Sequence, residues 1–249
     1  MSYAISEPIL MPCYCRMGNV SPWAVANRRI RAHLYQTALR LGGGDTLRNL
    51  SYLQLQERLP KEEAVKSQQA RLRSLLSHAS NRVPYYRSVL ADSGVVGGSR
   101  EVDLDRFRDI PLLDKATLHE RYDDLKSNDL RERKWYRGSS GGSTGETAHF
   151  IQDNEFADWA RAARLLFDRW SGYEIGDPRF VVWSILRDLS GRNTNFRRRL
   201  SSFVRNETWI DARSMSLAQM RTHLERIHRR RPGMILAFPE NLYELARFA

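Results

Sequence analysis

The sequence predicts an α/β protein in which a mainly helical first half leads into a region of alternating strands and helices. Three observations carry this. Apolar residues recur at helical spacings through much of the stretch from Ser21 to about Leu125. Two short strand-like runs, KWYRG and ETAHFIQ, then flank a loop of small residues. Beyond them the apolar runs RFVVWSIL, ETWIDA and GMILAF, with a helix between the last two, give the strand, helix, strand order of an α/β core.

The elements follow in order. Trp23, Ile30, Leu34, Ala38 and Leu41 share a helical stripe that Gly42, Gly43 and Gly44 terminate, leaving Arg28, Arg29, Arg31 and Arg40 for a basic outer face. That face is expected to be solvated, or else to meet acidic lipid or a partner. A second helix is predicted over LRNLSYLQLQERL. A third runs from Lys61 to about Asn81, with Ala64, Leu72, Leu75, Leu76 and Ala79 as its apolar stripe. Pro84 sits well in the first turn of a short helix that Gly94 ends. Asp114 is a candidate cap for a helix from Lys115 to about Leu125. Asn154 to Trp170 reads as a helix carrying Phe156, Trp159, Ala160, Ala163, Leu166 and Phe167 on one side. MSLAQMRTHLERIHRRR and the final ENLYELARFA complete the helices.

The chain has 249 residues, about 1.7 times a typical domain of roughly 150. It divides into a tail, 1–20, and a body, 21–249, mainly helical over 21–125 and α/β over 133–249. A hydrophobic content of 41% with 28% charged residues excludes collagen-like, low-complexity and acidic disordered chains. Cys13 and Cys15 are too few and too close for a disulfide framework or a zinc site. No signal-peptide pattern opens the chain and no later apolar run approaches the roughly 18 residues of a spanning helix. The cytoplasm is the expected location.

The formal net charge is +11, and only Lys61, Lys66, Lys115, Lys126 and Lys134 among the 40 basic residues are lysines. One function class this suggests is a basic module that binds nucleic acid or an anionic membrane, resting on the runs Arg197–Arg199 and Arg229–Arg231. Arginines at a helix C-terminus also answer the helix dipole, so the runs have a structural explanation as well. His78, His119, His149, His223 and His228 show no metal-ligand spacing. Trp135, Tyr136, Trp159, Trp170 and Trp183 fit apolar faces and are read as core.

The loop Ser139–Gly145 reads Ser, Ser, Gly, Gly, Ser, Thr, Gly. Glycine allows successive backbone N–H groups to point inward as a nest, and the hydroxyls add uncharged donors, so such a loop can wrap an anion; it can equally be a plain turn. A Walker loop is excluded because no Lys follows Lys134. The G-x-G-x-x-G spacing of a dinucleotide fold is absent.

Ser140-Gly-Gly-Ser-Thr-Gly145-Glu146 resembles the phosphate-binding loop of the adenylate-forming (AMP-binding) superfamily. Four further segments are similar, in order, to elements of its phenylacetate-CoA ligase-like branch: SHASNRVPYYRSVL, IPLLDKATLHERYDDL, GYEIGDPRFVVW and RRRPGMILAFPENLYELARFA. The likeness spans about Leu47 to Ala249 and is nearest to the capsular polysaccharide biosynthesis type. It implies part of the large N-terminal domain of such an enzyme, with an incomplete sheet, and an activity that joins a carboxylate to AMP from ATP with Mg²⁺. It further implies phosphate contacts from Ser140, Gly141, Gly142, Ser143, Thr144 and Gly145, and a thiol acceptor for the acyl group.

Thr147 stands where the family usually has Pro, which relaxes the loop exit. The family's aromatic-Gly-x-Thr/Ser-Glu motif, ribose-binding Asp, hinge and catalytic Lys have no match here, so catalytic residues stay unassigned. The chain is therefore expected to be an N-terminal portion, inactive alone, with a complementing C-terminal chain as a candidate partner. No specific nucleic acid is expected in that case.

Overall fold

The structure, a computed structural model, describes residues 22–98, 101–140, 147–183, 199–212 and 215–249. It is a mixed α/β protein. In chain order the helices are α1 (Pro22–Leu41), α2 (Thr46–Gln56), α3 (Lys61–Arg82), α4 (Pro84–Asp92), α5 (Lys115–Glu120), α6 (Asn154–Trp170), α7 (Leu217–Arg230) and α8 (Pro239–Phe248), with a further helical stretch at 199–204. The strands are β1 (Trp135–Ser139), β2 (His149–Asp153), β3 (Arg179–Trp183), β4 (Glu207–Asp211) and β5 (Met234–Ala237). The tail 1–20 lies outside the described residues. Two compact units result, Arg48–Arg161 and, as the other, Met1–Leu47 with Ala162–Ala249.

The Arg48–Arg161 unit is organised by the corner between α3 and α4. Val83 is extended (φ −112°, ψ 110°), as a residue before proline prefers, and Pro84 opens α4. Gly94, at φ +68°, lets the chain leave it. Leu76, Leu90 and Val95 form the core, with Leu72, Ala79 and Ile110 packed against it. Leu75, expected on the same stripe, is exposed.

Asp114 caps α5 by accepting the Thr117 N–H at 2.7 Å. The helix stops at Glu120, short of the expected Leu125. Its next residues instead complete the α3–α4 corner: the Asp124 carbonyl accepts from the Tyr85 N–H (3.0 Å), and the Asn128 N–H donates to the Arg82 carbonyl (2.8 Å). Helix ends leave such groups open, so the turn answers a need that continued helix would not.

In the other unit β3 is the middle strand of a parallel sheet ordered β4-β3-β5. A strand covered on both faces needs a continuous apolar run, and Arg179 to Val182 are all buried. Phe180, Val182 and Ile210 make the core, joined by Ile227, Ile235 and Ala237. Residues 184–186 of the predicted strand lie outside the described residues. Helix α7 begins at a capping box in which the Gln219 N–H donates to Ser216 Oγ (3.4 Å) and the Ser216 N–H donates to Gln219 Oε1 (2.9 Å).

Three expectations are corrected. On α1, Ile30, Leu34 and Leu41 are exposed; the Trp23 side chain is outside those described. The helix turns a polar face inward. The Arg28 guanidinium lies 3.9 Å from the Asp177 carboxylate. Arg31 donates to the Phe203 carbonyl, and its guanidinium lies over the Phe203 ring. Arg28 and Arg31 therefore do not belong to an outer basic face. Gly176 permits the approach, since it has φ +93° and a Cβ there would stand 2.5 Å from the Arg28 carbonyl oxygen.

On α6 the buried positions are Asp158, Ala162, Leu165 and Leu166, while Phe156, Ala160 and Phe167 are exposed. The buried set keeps helical spacing but is rotated from the face that bulk alone selects. The aromatic residues are also less buried than expected. Trp135, Tyr136, Trp170 and Trp183 are exposed, and Trp159 is half-buried, edge-on to Tyr52 with centroids 5.7 Å apart. Among the described residues no helix is long and apolar enough to cross a membrane.

Candidate functional site

Strands β1 and β2 form an antiparallel hairpin in the register Trp135↔Asp153 to Ser139↔His149, and the small-residue loop joins them. Ser140 closes the neck. Its N–H donates to the Ala148 carbonyl (2.9 Å), and its Oγ accepts the Ala148 N–H (3.2 Å). Gly138 faces Phe150 across the ladder, and a Cβ on Gly138 would overlap the Phe150 ring. The glycine thus lets the ring lie across the strand, where it lines a cavity of about 480 Å³ with Val83, Leu118, Tyr122 and Phe156.

The base of the hairpin carries a small ion network. Arg133 donates to Asp153 Oδ2 (2.8 Å) and to Asp129 Oδ2 (2.9 Å). Asp153 also accepts the Phe156 N–H at 2.8 Å and so caps α6. The hydrogen bond from Ser127, with help from Arg133, pulls the Asp129 carboxyl down to about 2. Burial works against ionised Asp153, yet the Phe156 N–H and Arg133 hold it below the usual carboxylate range. Its two bonds to Asp153 and Asp129 raise the Arg133 pKa in turn. Charges at the base therefore stay fixed at neutral pH. Arg133 and Asp153 were not singled out from sequence, although Asp before Asn-Glu-Phe is an N-cap signal.

Of the six phosphate-loop candidates, Ser140 is described and is exposed. Gly141, Gly142, Ser143, Thr144 and Gly145 lie outside the described residues. Ser140 Oγ accepts in its bond with Ala148, so its own hydroxyl proton is not used in that bond. Such a donor is neutral, as the rest of the loop composition is.

The other candidates are dispersed. His149 starts β2 and is exposed, His78 Nε2 stands 4.0 Å from Asp129, and His223 and His228 are on α7. Burial and then Arg226 lower the His223 pKa. Among the described residues no group of three His, Cys, Asp or Glu side chains is placed to hold a metal. Arg197 and Arg198 lie outside the described residues, while Arg229 and Arg230 occupy the last turn of α7. Arg231 closes that helix at φ +43°, its N–H donating to the Ile227 carbonyl (2.8 Å).

No family model matches the chain, and no curated protein matches it in sequence.

Proposed function

We propose that this chain supplies the part of an ATP-dependent carboxylate-activating ligase that holds the nucleotide's phosphates. The observation that carries the reading is a Gly-, Ser- and Thr-rich loop at the tip of a hairpin whose neck is tied by Ser140 and Ala148. The five ordered segments of the resemblance support it, because ordered likeness over Leu47 to Ala249 is more specific than one glycine loop.

The chemistry explains the composition. In adenylation a carboxylate oxygen attacks the α-phosphorus while pyrophosphate leaves, and negative charge must be met along the phosphate chain. Backbone N–H groups at Gly141, Gly142 and Gly145, with the hydroxyls of Ser140, Ser143 and Thr144, would meet it without adding an ion that has to be desolvated. Mg²⁺ arrives with ATP and supplies the balancing positive charge. The carboxylate substrate and any thiol acceptor are assigned to no residue, and the capsular polysaccharide setting follows from the resemblance alone. The competing reading, a basic module for nucleic acid or anionic membrane, rests on the net charge and the runs Arg197–Arg199 and Arg229–Arg231, of which Arg229 and Arg230 occupy the last turn of α7.

The test is ATP binding by the chain, read calorimetrically with Mg²⁺ present. Gly145→Val is expected to weaken binding about tenfold or more by blocking close backbone approach, and Ser143→Ala with Thr144→Ala to weaken it less. Unchanged affinity in Gly145→Val overturns the proposal.

A further inference from the structure

A second place in the molecule, in the unit of Met1–Leu47 with Ala162–Ala249, is also built around anion chemistry. A cleft of about 930 Å³ opens beside the start of β4, and Arg31, Arg199, Arg226 and Arg230 line it together with Thr208 and Phe203. The arginines come from three helical segments far apart in sequence. Two of them are held in position by uncharged acceptors. Arg31 donates through Nε to Asn27 Oδ1 (2.8 Å) and through Nη1 to the Phe203 carbonyl. Arg230 donates through Nη1 to Thr208 Oγ1 at 2.9 Å.

The charge of the cleft is not balanced from within. The carboxylate on its lining is Glu207, and that group is buried and already engaged by Arg179 and by Arg205, the latter at 3.3 Å. Among the described residues neither Arg199 nor Arg226 pairs with a carboxylate, and Arg226 follows one turn before Arg230 on the same face of α7. Burial and, after it, the neighbouring Arg230 charge lower the Arg31 pKa.

We infer that this cleft binds a small soluble molecule carrying two or more phosphate groups. Guanidinium groups oriented by neutral partners keep free N–H donors in the planar fork that suits phosphate oxygens. The cavity has the size of a small-molecule site, and Phe203 and Trp209 on its lining offer apolar surface to an organic substituent. Converging groups around a concavity suit a compact anion, whereas a nucleic-acid backbone calls for a stripe of cations along a surface. The inference does not depend on the loop at Ser140.

Inorganic pyrophosphate is the probe, titrated into the full chain by calorimetry at low salt, with inorganic phosphate, a duplex oligonucleotide and phosphatidylserine vesicles as comparators. Pyrophosphate is expected to bind more tightly than phosphate. Arg226→Gln, which removes no hydrogen bond seen in the structure, is expected to weaken it about tenfold or more while leaving the thermal midpoint in place. Arg226→Lys should recover part of the loss, and the loss caused by Arg226→Gln should persist when Gly145→Val is added to remove any contribution of the Ser140 loop. The inference is overturned if folded protein does not bind pyrophosphate, if Arg226→Gln and Arg199→Gln bind as the parent does, or if Gly145→Val alone abolishes binding. Binding of the duplex or the vesicles without pyrophosphate binding overturns it equally.

Discussion

Arg179 and Arg133 each bridge two carboxylates, and they do so in opposite surroundings. Arg179, at the start of β3, reaches Asp168 at 2.9 Å and also bonds buried Glu207, its own side chain only 5% exposed. Arg133, at the foot of the β1–β2 hairpin, reaches Asp153 and Asp129 at similar distances with its side chain 36% exposed. Burial opposes a charged Arg179, yet its hydrogen bond to the Glu207 carboxylate, with that group's charge, outweighs it and the pKa ends above the usual value. Tyr173, whose ring faces Arg179 with the guanidinium 5.1 Å from its centroid, is pushed up to about 12, chiefly by burial. The same pattern of partners is thus structural necessity in one place and adjustable anchoring in the other. Once an ion network is closed off from water, losing one member strands the rest.

The largest effect expected is therefore from Arg179→Met. It leaves Glu207 and Asp168 without a partner they share, and the loss of stability should be about 3–5 kcal/mol. Glu207→Gln should fall in the same range. Chemical denaturation of both variants checks this, and a loss below about 1 kcal/mol would erase the contrast drawn between the two arginines.

The second effect tests whether the hairpin depends on packing more than on its ion pairs. Gly138→Val places side-chain atoms where the Phe150 ring lies, and overpacking of this kind costs about 1–3 kcal/mol. It should exceed the cost of Arg133→Met, expected at about 1 kcal/mol or less for a partly exposed pair. If Arg133→Met costs more than Gly138→Val, the hairpin is held by charge after all.

These contrasts also mark what could be read from sequence. The α3–α4 corner, the hairpin and the capped start of α5 were legible because their signals are local: Pro84, Gly94, Asp114, and two strand runs around a glycine loop. Parallel β3 was legible from an unbroken apolar run. The inward face of α1 was not, because Asp177 and the Phe203 carbonyl, which attract Arg28 and Arg31, lie far along the chain. The arginine cleft was hidden for the same reason. Two of its residues sat in runs noticed for charge, yet nothing in a run of arginines tells which of them face one another across a fold. The Asp153 cap was visible but overlooked, because β2 and α6 meet there without an intervening loop. The exposed Trp170 and Trp183 show the limit of treating bulk as burial.

The smallest effect is the one with a pH signature. Asp129 accepts from Ser127 and Arg133 and has His78 4.0 Å away, and its carboxyl is pulled down to about 2, the bond from Ser127 being the largest cause. A folded-state value below the unfolded value of about 4 means that the unfolded chain binds the extra proton first. The contribution of Asp129 is then complete above pH about 4 and disappears as the pH falls toward about 2. Asp129→Asn should be less stable than the parent by about 1 kcal/mol at pH 7, the modest value of a solvent-accessible pair. That difference should shrink toward zero between pH about 4 and about 2, because the parent loses the charge that the variant never had. Paired denaturation curves at pH 7, 4 and 2.5 measure it. A difference that stays constant across the series would assign the loss to shape and hydrogen bonding at position 129, and would leave buried Arg179 as the arginine whose partners matter through their charge.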